Sequence, residues 1–305
     1  MRLFPRRLAV TVVLTLACGS TLPVTQPALA ESGATCGQRI NAVRARAGLP
    51  QVAGSGTLTT AAQRHANYRA AADGRGQRDT SAHYETKGRA WYSGVRPWDR
   101  TKAAGLRNGT WARQGENVVT SYGSSASLKG VDAWLSAPYH RFPILDANMR
   151  SVGCAASTTA ASTTRSAEVL QMVWPWTAKT KALTSWPLPK ATGVARSFDR
   201  RSEAPQPFRS STTSVVGPVV SLQASGYKAI RLTSAPTLKK AGRGVAVHVS
   251  TPSSDSYLPD NAVMLTSKAP LSAASTYTVT IKGQLQATTG AKWTSFTRTW
   301  SFTTR

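Results

Sequence analysis

Apolar residues in the first half of the chain recur mainly at three- and four-residue spacing. Ile40, Val43 and Ala47 predict a helix over residues 36–48, stopped by Gly48. An Ala-rich helix is expected over 58–72, ending at Asp73-Gly74. Residues 73–96 are polar, Gly-containing and aperiodic, so they read as a long loop of the kind that tends to carry function. A short helix follows over 97–104, with Pro97 at its start and Gly105 past its end. Another helix is expected over 128–137. Val-, Leu- and Met-rich runs at 150–156 and 168–174 read as strands.

The pattern changes near Trp186. Pro187, Pro189, Pro205, Pro207 and Pro218 punctuate a stretch without helical period. Short strands are expected at 219–222, 245–250, 262–265, 276–281 and 297–303, separated by turn residues. In the run 277–281, Tyr277, Val279 and Ile281 share one face. Regularly spaced short strands indicate a β-sandwich. The sequence therefore predicts an α+β half over 36–178, a Pro-containing linker over 179–214 and an all-β half over 215–305.

The N-terminus reads as a signal peptide, residues 1–30. Arg2, Arg6 and Arg7 precede an apolar run over 8–16, and Ala28-Leu29-Ala30 is a small-x-small cleavage site. The run is shorter than a membrane span, which needs roughly 20 residues. A lipoprotein reading would use Cys18, but Thr15-Leu16-Ala17 fits a lipobox poorly. The expected location is extracellular, with cell-wall association open. Loss of Cys18 leaves Cys36 and Cys154, an even pair whose default in an oxidising compartment is a disulfide.

The net charge is +25, or +22 without Arg2, Arg6 and Arg7. It is spread over both halves rather than gathered in one block, which argues against a specific nucleic-acid binder. Diffuse positive charge suits anionic cell-wall polymers, lipids or glycans, or simply a solvated basic surface. There is no nucleophile elbow, no H-E-x-x-H helix and no phosphate loop.

Four segments of the first half carry candidate chemistry. They are Ala82-His83-Tyr84-Glu85, Gly115-Glu116-Asn117-Val118, the run Asp132-Ala133-Trp134-Leu135-Ser136-Ala137-Pro138-Tyr139-His140-Arg141, and Ile144-Leu145 followed by Ser151-Val152-Gly153-Cys154. Their order resembles the CAP superfamily of cysteine-rich secretory, antigen 5 and pathogenesis-related proteins. The resemblance covers about residues 36–178 and implies an α-β-α sandwich with a cleft lined by two histidines and two acids. Carried over by position, these are His83, His140, Glu116 and Glu85. Tyr139 departs from the glycine common before the second histidine and implies a narrowed cleft edge. Residues 215–305, through Thr276-Tyr277-Thr278-Val279 and Trp300-Ser301-Phe302-Thr303-Thr304, resemble bacterial Ig-like domains, which implies a spacer or adhesion module.

Three readings of the cleft stay open. Two neutral imidazoles, His83 and His140, can hold zinc or another divalent metal, with water or a carboxylate completing the shell. Glu116 and Glu85 can do acid/base work in a hydrolase of peptidoglycan or peptide. The same groups can be a hydrogen-bonded network that orders loops. His65, in the Ala-rich helix, reads as a surface or half-buried residue. Trp174-Pro175-Trp176 reads as core packing or as a ligand platform.

Overall fold

The structure is a computed structural model that describes residues 36–109, 111–122, 130–159, 165–177, 179–209 and 211–305. The leader at 1–30, Cys18 and residues 128–129 of the expected fourth helix lie outside the described residues. The first half contains α1 (Cys36–Arg46), β1 (Ala53–Gly54), α2 (Gly56–Gly74), α3 (Pro97–Ala103), β2 (Arg113–Tyr122), α4 (Gly130–Ser136), α5 (Pro138–Ile144), β3 (Ser151–Thr159) and β4 (Arg165–Trp174). Its sheet has the order β1-β3-β4-β2, so the Gly115-Glu116-Asn117 motif sits on an edge strand.

Strand alternation assigns each side chain of this sheet to one of two helical layers. Val118 and Val169 pack with Ala62, Ala66 and Ala82 on the α2 side. Val119, Val152, Leu170 and Met172 pack with Ile40, Trp134, Leu135 and Ile144 on the other side. The result is an α-β-α sandwich. The alanines of α2 let the helix lie close to the strands. A Cβ at Gly153 would fall 2.1 Å from the Thr59 nitrogen and 2.2 Å from the Leu58 carbonyl carbon, so only glycine fits there.

Cys154 faces α1 and is disulfide-bonded to Cys36, as expected, across a sequence separation of 118 residues. On the chain-entropy account a loop of that size is worth about 4–5 kcal/mol as an upper figure. Arg44, fully buried on the same helix, donates to the carbonyls of Pro50, Ile144 and Asp146 at 2.8 Å each. Burial pushes its guanidinium down to about 10. Arg100 and Arg141 are also fully buried. Part of the basic composition is therefore internal wiring rather than solvated surface.

The second half contains β5 (Ala182–Trp186), β6 (Ala191–Val194), β7 (Phe198–Asp199), β8 (Val215–Val216), β9 (Val220–Ser225), β10 (Ala229–Leu232), β11 (Thr237–Lys240), β12 (Arg243–Val245), β13 (Val247–Ser250), β14 (Ala262–Ser267), β15 (Thr276–Gln286) and β16 (Trp293–Thr304). One sheet runs β13-β14-β9-β5; the other runs β12-β11-β15-β16-β6, with β10 also on β15. Val220, Leu222, Val263 and Leu265 of the first share a core with Tyr277, Val279, Ile281 and Phe302 of the second.

Residues 179–214, expected as a linker, are built into this half. β5 pairs with β9 and β6 pairs in parallel with β16. Prolines break helical period but are compatible with short strands beside them, and the sequence pattern did not reveal the three here, β5, β6 and β7. The buried apolar cluster also runs without a break from Trp134 and Ile144 into Trp186 and Val220.

Candidate functional site

The long loop after α2 returns to the protein through two buried residues, His83 and Glu85. Its base is closed by backbone bonding of the Glu85 nitrogen to the Val95 carbonyl at 3.0 Å. The Glu85 carboxylate accepts from the Ser93 nitrogen at 2.6 Å and the Gly94 nitrogen at 3.2 Å. Pro97 then starts α3, which carries Arg100 inward. Arg100 donates to the Gly94 and His83 carbonyls at 3.1 Å each.

Glu116 meets this loop from the edge strand β2. Its side chain points to the α2 side, as does that of its β4 partner Gln171. Oε1 of Glu116 lies 2.8 Å from His83 Nδ1, and Oε2 accepts from Arg100 at 2.7 Å and from the Gln171 amide. Burial opposes ionisation of this carboxyl, but Arg100, His65 and the His83 bond outweigh it and hold the group far below the ordinary carboxylate range. Both oxygens are engaged, and neither faces solvent.

His65 completes the network and corrects the sequence reading. It is fully buried in α2, not a surface residue. Nδ1 lies 2.8 Å from Glu85 Oε1, and Nε2 lies 2.9 Å from the Ala82 carbonyl. Burial and the Arg100 guanidinium oppose its protonation, yet both nitrogens face oxygen acceptors. An Ala-rich helix gives no periodic signal of which face is buried, so His65 was not legible from its neighbours.

The second motif histidine has different partners. His140 lies on α5, and its carbonyl accepts from Asn117 on the side of β2 opposite Glu116. Its Nδ1 lies 3.3 Å from Oε1 of Glu203, a buried residue from the stretch expected as a linker. The same oxygen accepts from the Tyr139 nitrogen at 2.9 Å. Tyr139 donates its hydroxyl to Asp255 at 2.6 Å, and Arg141 donates to the Val219 carbonyl at 2.8 Å. Burial pushes Arg141 down to about 9. The structure thus brings His83, Glu85 and Glu116 together, and places His140 under the second half. Among the described residues no hydrogen bond or ion pair joins His140 to either motif glutamate.

Each of the two motif histidines keeps one unused nitrogen. Nε2 of His83 and Nε2 of His140 are buried and have no hydrogen-bond partner. In both, Nδ1 is turned toward a carboxylate, which fixes the ring and leaves a lone pair on Nε2. Two such nitrogens are compatible with a divalent ion as donors. Among the described residues no group of three or more His, Cys, Asp or Glu forms a metal-holding cluster.

Comparison with known proteins agrees with the motif order. Residues 38–174 match the family model described as CAP, the cysteine-rich secretory protein family. No curated protein matches the chain. Among solved structures, an extracellular protein containing an SCP domain from Bacillus anthracis is 14% identical with a TM-score of 0.32, covering 46% of this chain and 39% of that one. The chain thus spans well under half of that protein. An outer surface protein from Borrelia burgdorferi is 16% identical with a TM-score of 0.33, covering 46% of this chain and 89% of the other. The four motifs in order, the two-layered helical packing and the family match together make residues 38–174 a CAP domain of the cysteine-rich secretory protein family, carried ahead of an all-β half.

Proposed function

We propose that the protein is a secreted, non-catalytic binding module that works at the cell wall or envelope. The observation that carries this reading is the saturation of Glu116. A general base needs a free oxygen within reach of its proton donor and a pKa near the working pH. Glu116 has Oε1 on His83, Oε2 on Arg100 and Gln171, and a proton affinity held far too low. Its chemistry is that of a structural anion which ties β2 to the loop and to α3. The disulfide supports an oxidising, extracellular setting. The all-β half is read as an Ig-like spacer or adhesion module built onto this domain.

Incubation of the purified protein with peptidoglycan and with a peptide library tests the reading. No turnover is expected. Turnover that disappears in Glu116→Gln would instead establish the hydrolase.

A second reading is favoured by the two unpartnered imidazole nitrogens. His83 and His140 would hold zinc or another divalent ion through Nε2, with Glu116 and Glu203 orienting the rings. Calorimetric titration of zinc at neutral pH is expected to give heat in the wild type and none in His140→Ala. Binding should weaken in acid, because a protonated imidazole has no lone pair to give a metal. Equal heats for both proteins would reject the assignment.

A further inference from the structure

One end of the CAP domain concentrates tryptophan and positive charge in a way the buried network does not account for. Trp91 is 61% exposed, Trp98 39% and Trp176 64%, with Val95 also exposed. Residues 86–113 contain seven basic side chains and one acidic one, Asp99. Of these, Arg100 is buried on Glu116, and Arg89 and Arg113 pair with Asp79 and Asp146, so the exposed positive charge at this end comes from side chains such as Lys87, Arg96 and Lys102.

Hydrogen bonds and stacking contacts tie these tryptophans to one end of the fold. The loop bearing Trp91 is closed by Glu85, and Arg100 of α3 donates to its Gly94 carbonyl. A Cβ on Gly94 would lie 2.9 Å from Asp99 Cβ and from the Arg100 nitrogen, so the loop rests directly on the start of α3. Thr101 of α3 bonds both the Trp98 carbonyl and the Gln114 side chain of β2. Beside Gln114, the Ala112 nitrogen donates to the Trp174 carbonyl, and the Arg113 guanidinium stacks 4.0 Å from the Trp174 ring. Trp176 follows two residues later. Arg96 in turn stacks over Trp98 at 5.2 Å.

The surface is pre-organised rather than pliable. Trp91 has φ of 66°, a left-handed backbone that a bulky residue rarely adopts, and it stands at the tip of a loop clamped by a buried carboxylate. Such strain is kept where the surroundings over-determine it, often at binding sites. Exposed aromatic rings alternating with planar guanidiniums offer flat apolar platforms beside forked donors for anionic groups. The exposed apolar members are mainly rings rather than aliphatic chains, which favours flat sugar faces over acyl chains.

We propose that this end of the CAP domain, centred on Trp91 and Trp98, binds an acidic polysaccharide, with sugar rings on the tryptophans and carboxylates on Lys87, Arg96 and Lys102. This inference rests on the binding-module reading and names its surface and ligand class.

The test uses the full chain and polygalacturonate as probe, followed by affinity electrophoresis and tryptophan fluorescence, with dextran as the uncharged control. Polygalacturonate is expected to bind and dextran not to. Trp91→Ala/Trp98→Ala should weaken binding about tenfold or more, the usual effect of truncating aromatic anchors. Lys87→Glu/Lys102→Glu should also weaken it, and Trp293→Ala, in the other half, should not. All substituted residues are exposed or partly so, and unchanged circular dichroism checks the fold. Unchanged affinity in both double variants overturns the proposal, as does binding to phosphatidylglycerol vesicles but not to the polysaccharide. Release of reducing ends from the polymer would overturn the non-catalytic reading alone, and the variant pattern would still report on the surface.

Discussion

His140 Nδ1 lies 3.3 Å from Oε1 of Glu203, a carboxylate 63 residues further along and outside the stretch that matches the CAP family. The same oxygen takes the Tyr139 nitrogen. A motif histidine of one half is thus positioned by an acid from the next. Residues 138–144 are held from both sides, by Asn117 beneath and by Glu203, Asp255 and the Val219 carbonyl above.

Removing that acid should destabilise the whole chain. Glu203→Ala leaves the buried Tyr139 N–H and the His140 ring without their acceptor, at a cost of about 1–3 kcal/mol. Glu203→Gln keeps an acceptor oxygen and should cost less. Urea unfolding followed by fluorescence gives both numbers. Equal stability of Glu203→Ala and wild type would mean that the contact does not hold the halves together.

Glu116 sets an acid limit on stability. Its folded pKa lies below the unfolded value near 4.5. Below that value the unfolded chain binds a proton that the folded chain refuses, so stability rises with pH in this range. The contribution is fully present above about pH 4.5 and is lost as pH falls toward the folded value. Unfolding free energies at pH 6, 5, 4 and 3 should therefore fall more steeply in wild type than in Glu116→Gln. Parallel profiles would contradict the ion pair. Arg100→Met, which strands the buried carboxylate, should cost about 3–5 kcal/mol at neutral pH.

Gly153 is a packing requirement, not a turn. Its backbone φ lies outside the left-handed region, yet a Cβ would collide with backbone atoms of Leu58 and Thr59. Neither can swing aside, so α2 would have to lift from β3. Gly153→Ala should cost about 1–3 kcal/mol or more, as for other overpacked interiors. Differential scanning calorimetry should show the loss. A variant with unchanged Tm would mean that α2 can shift without penalty.

The helical pattern placed α1, α2 and α3 to within a few residues, because a capping glycine or proline and a three-to-four repeat are local signals. The edge strand β2 was visible only as a motif, since Arg113 to Tyr122 mixes polar residues on both faces. His65 escaped notice for a related reason. Alanine and histidine are tolerated on either face of a helix, and what buries His65 is the loop bearing Ala82 and Glu85.

By itself the sequence determined the α+β first half, the all-β second half and the Cys36–Cys154 pairing by cysteine arithmetic. It also determined the residue types of the motif set, because each of these is written in local pattern or composition. Only the tertiary structure decided which motif residues meet. Glu116 is neutralised by Arg100, and His140 faces Glu203, through contacts spanning 16 and 63 residues. Such pairings depend on where β2, α3 and α5 come to rest, and no local periodicity encodes that. The same holds for residues 179–214. Their prolines are equally consistent with a linker and with short strands, and the unpaired edges of β9 and β16 settle the matter only once the sheets exist.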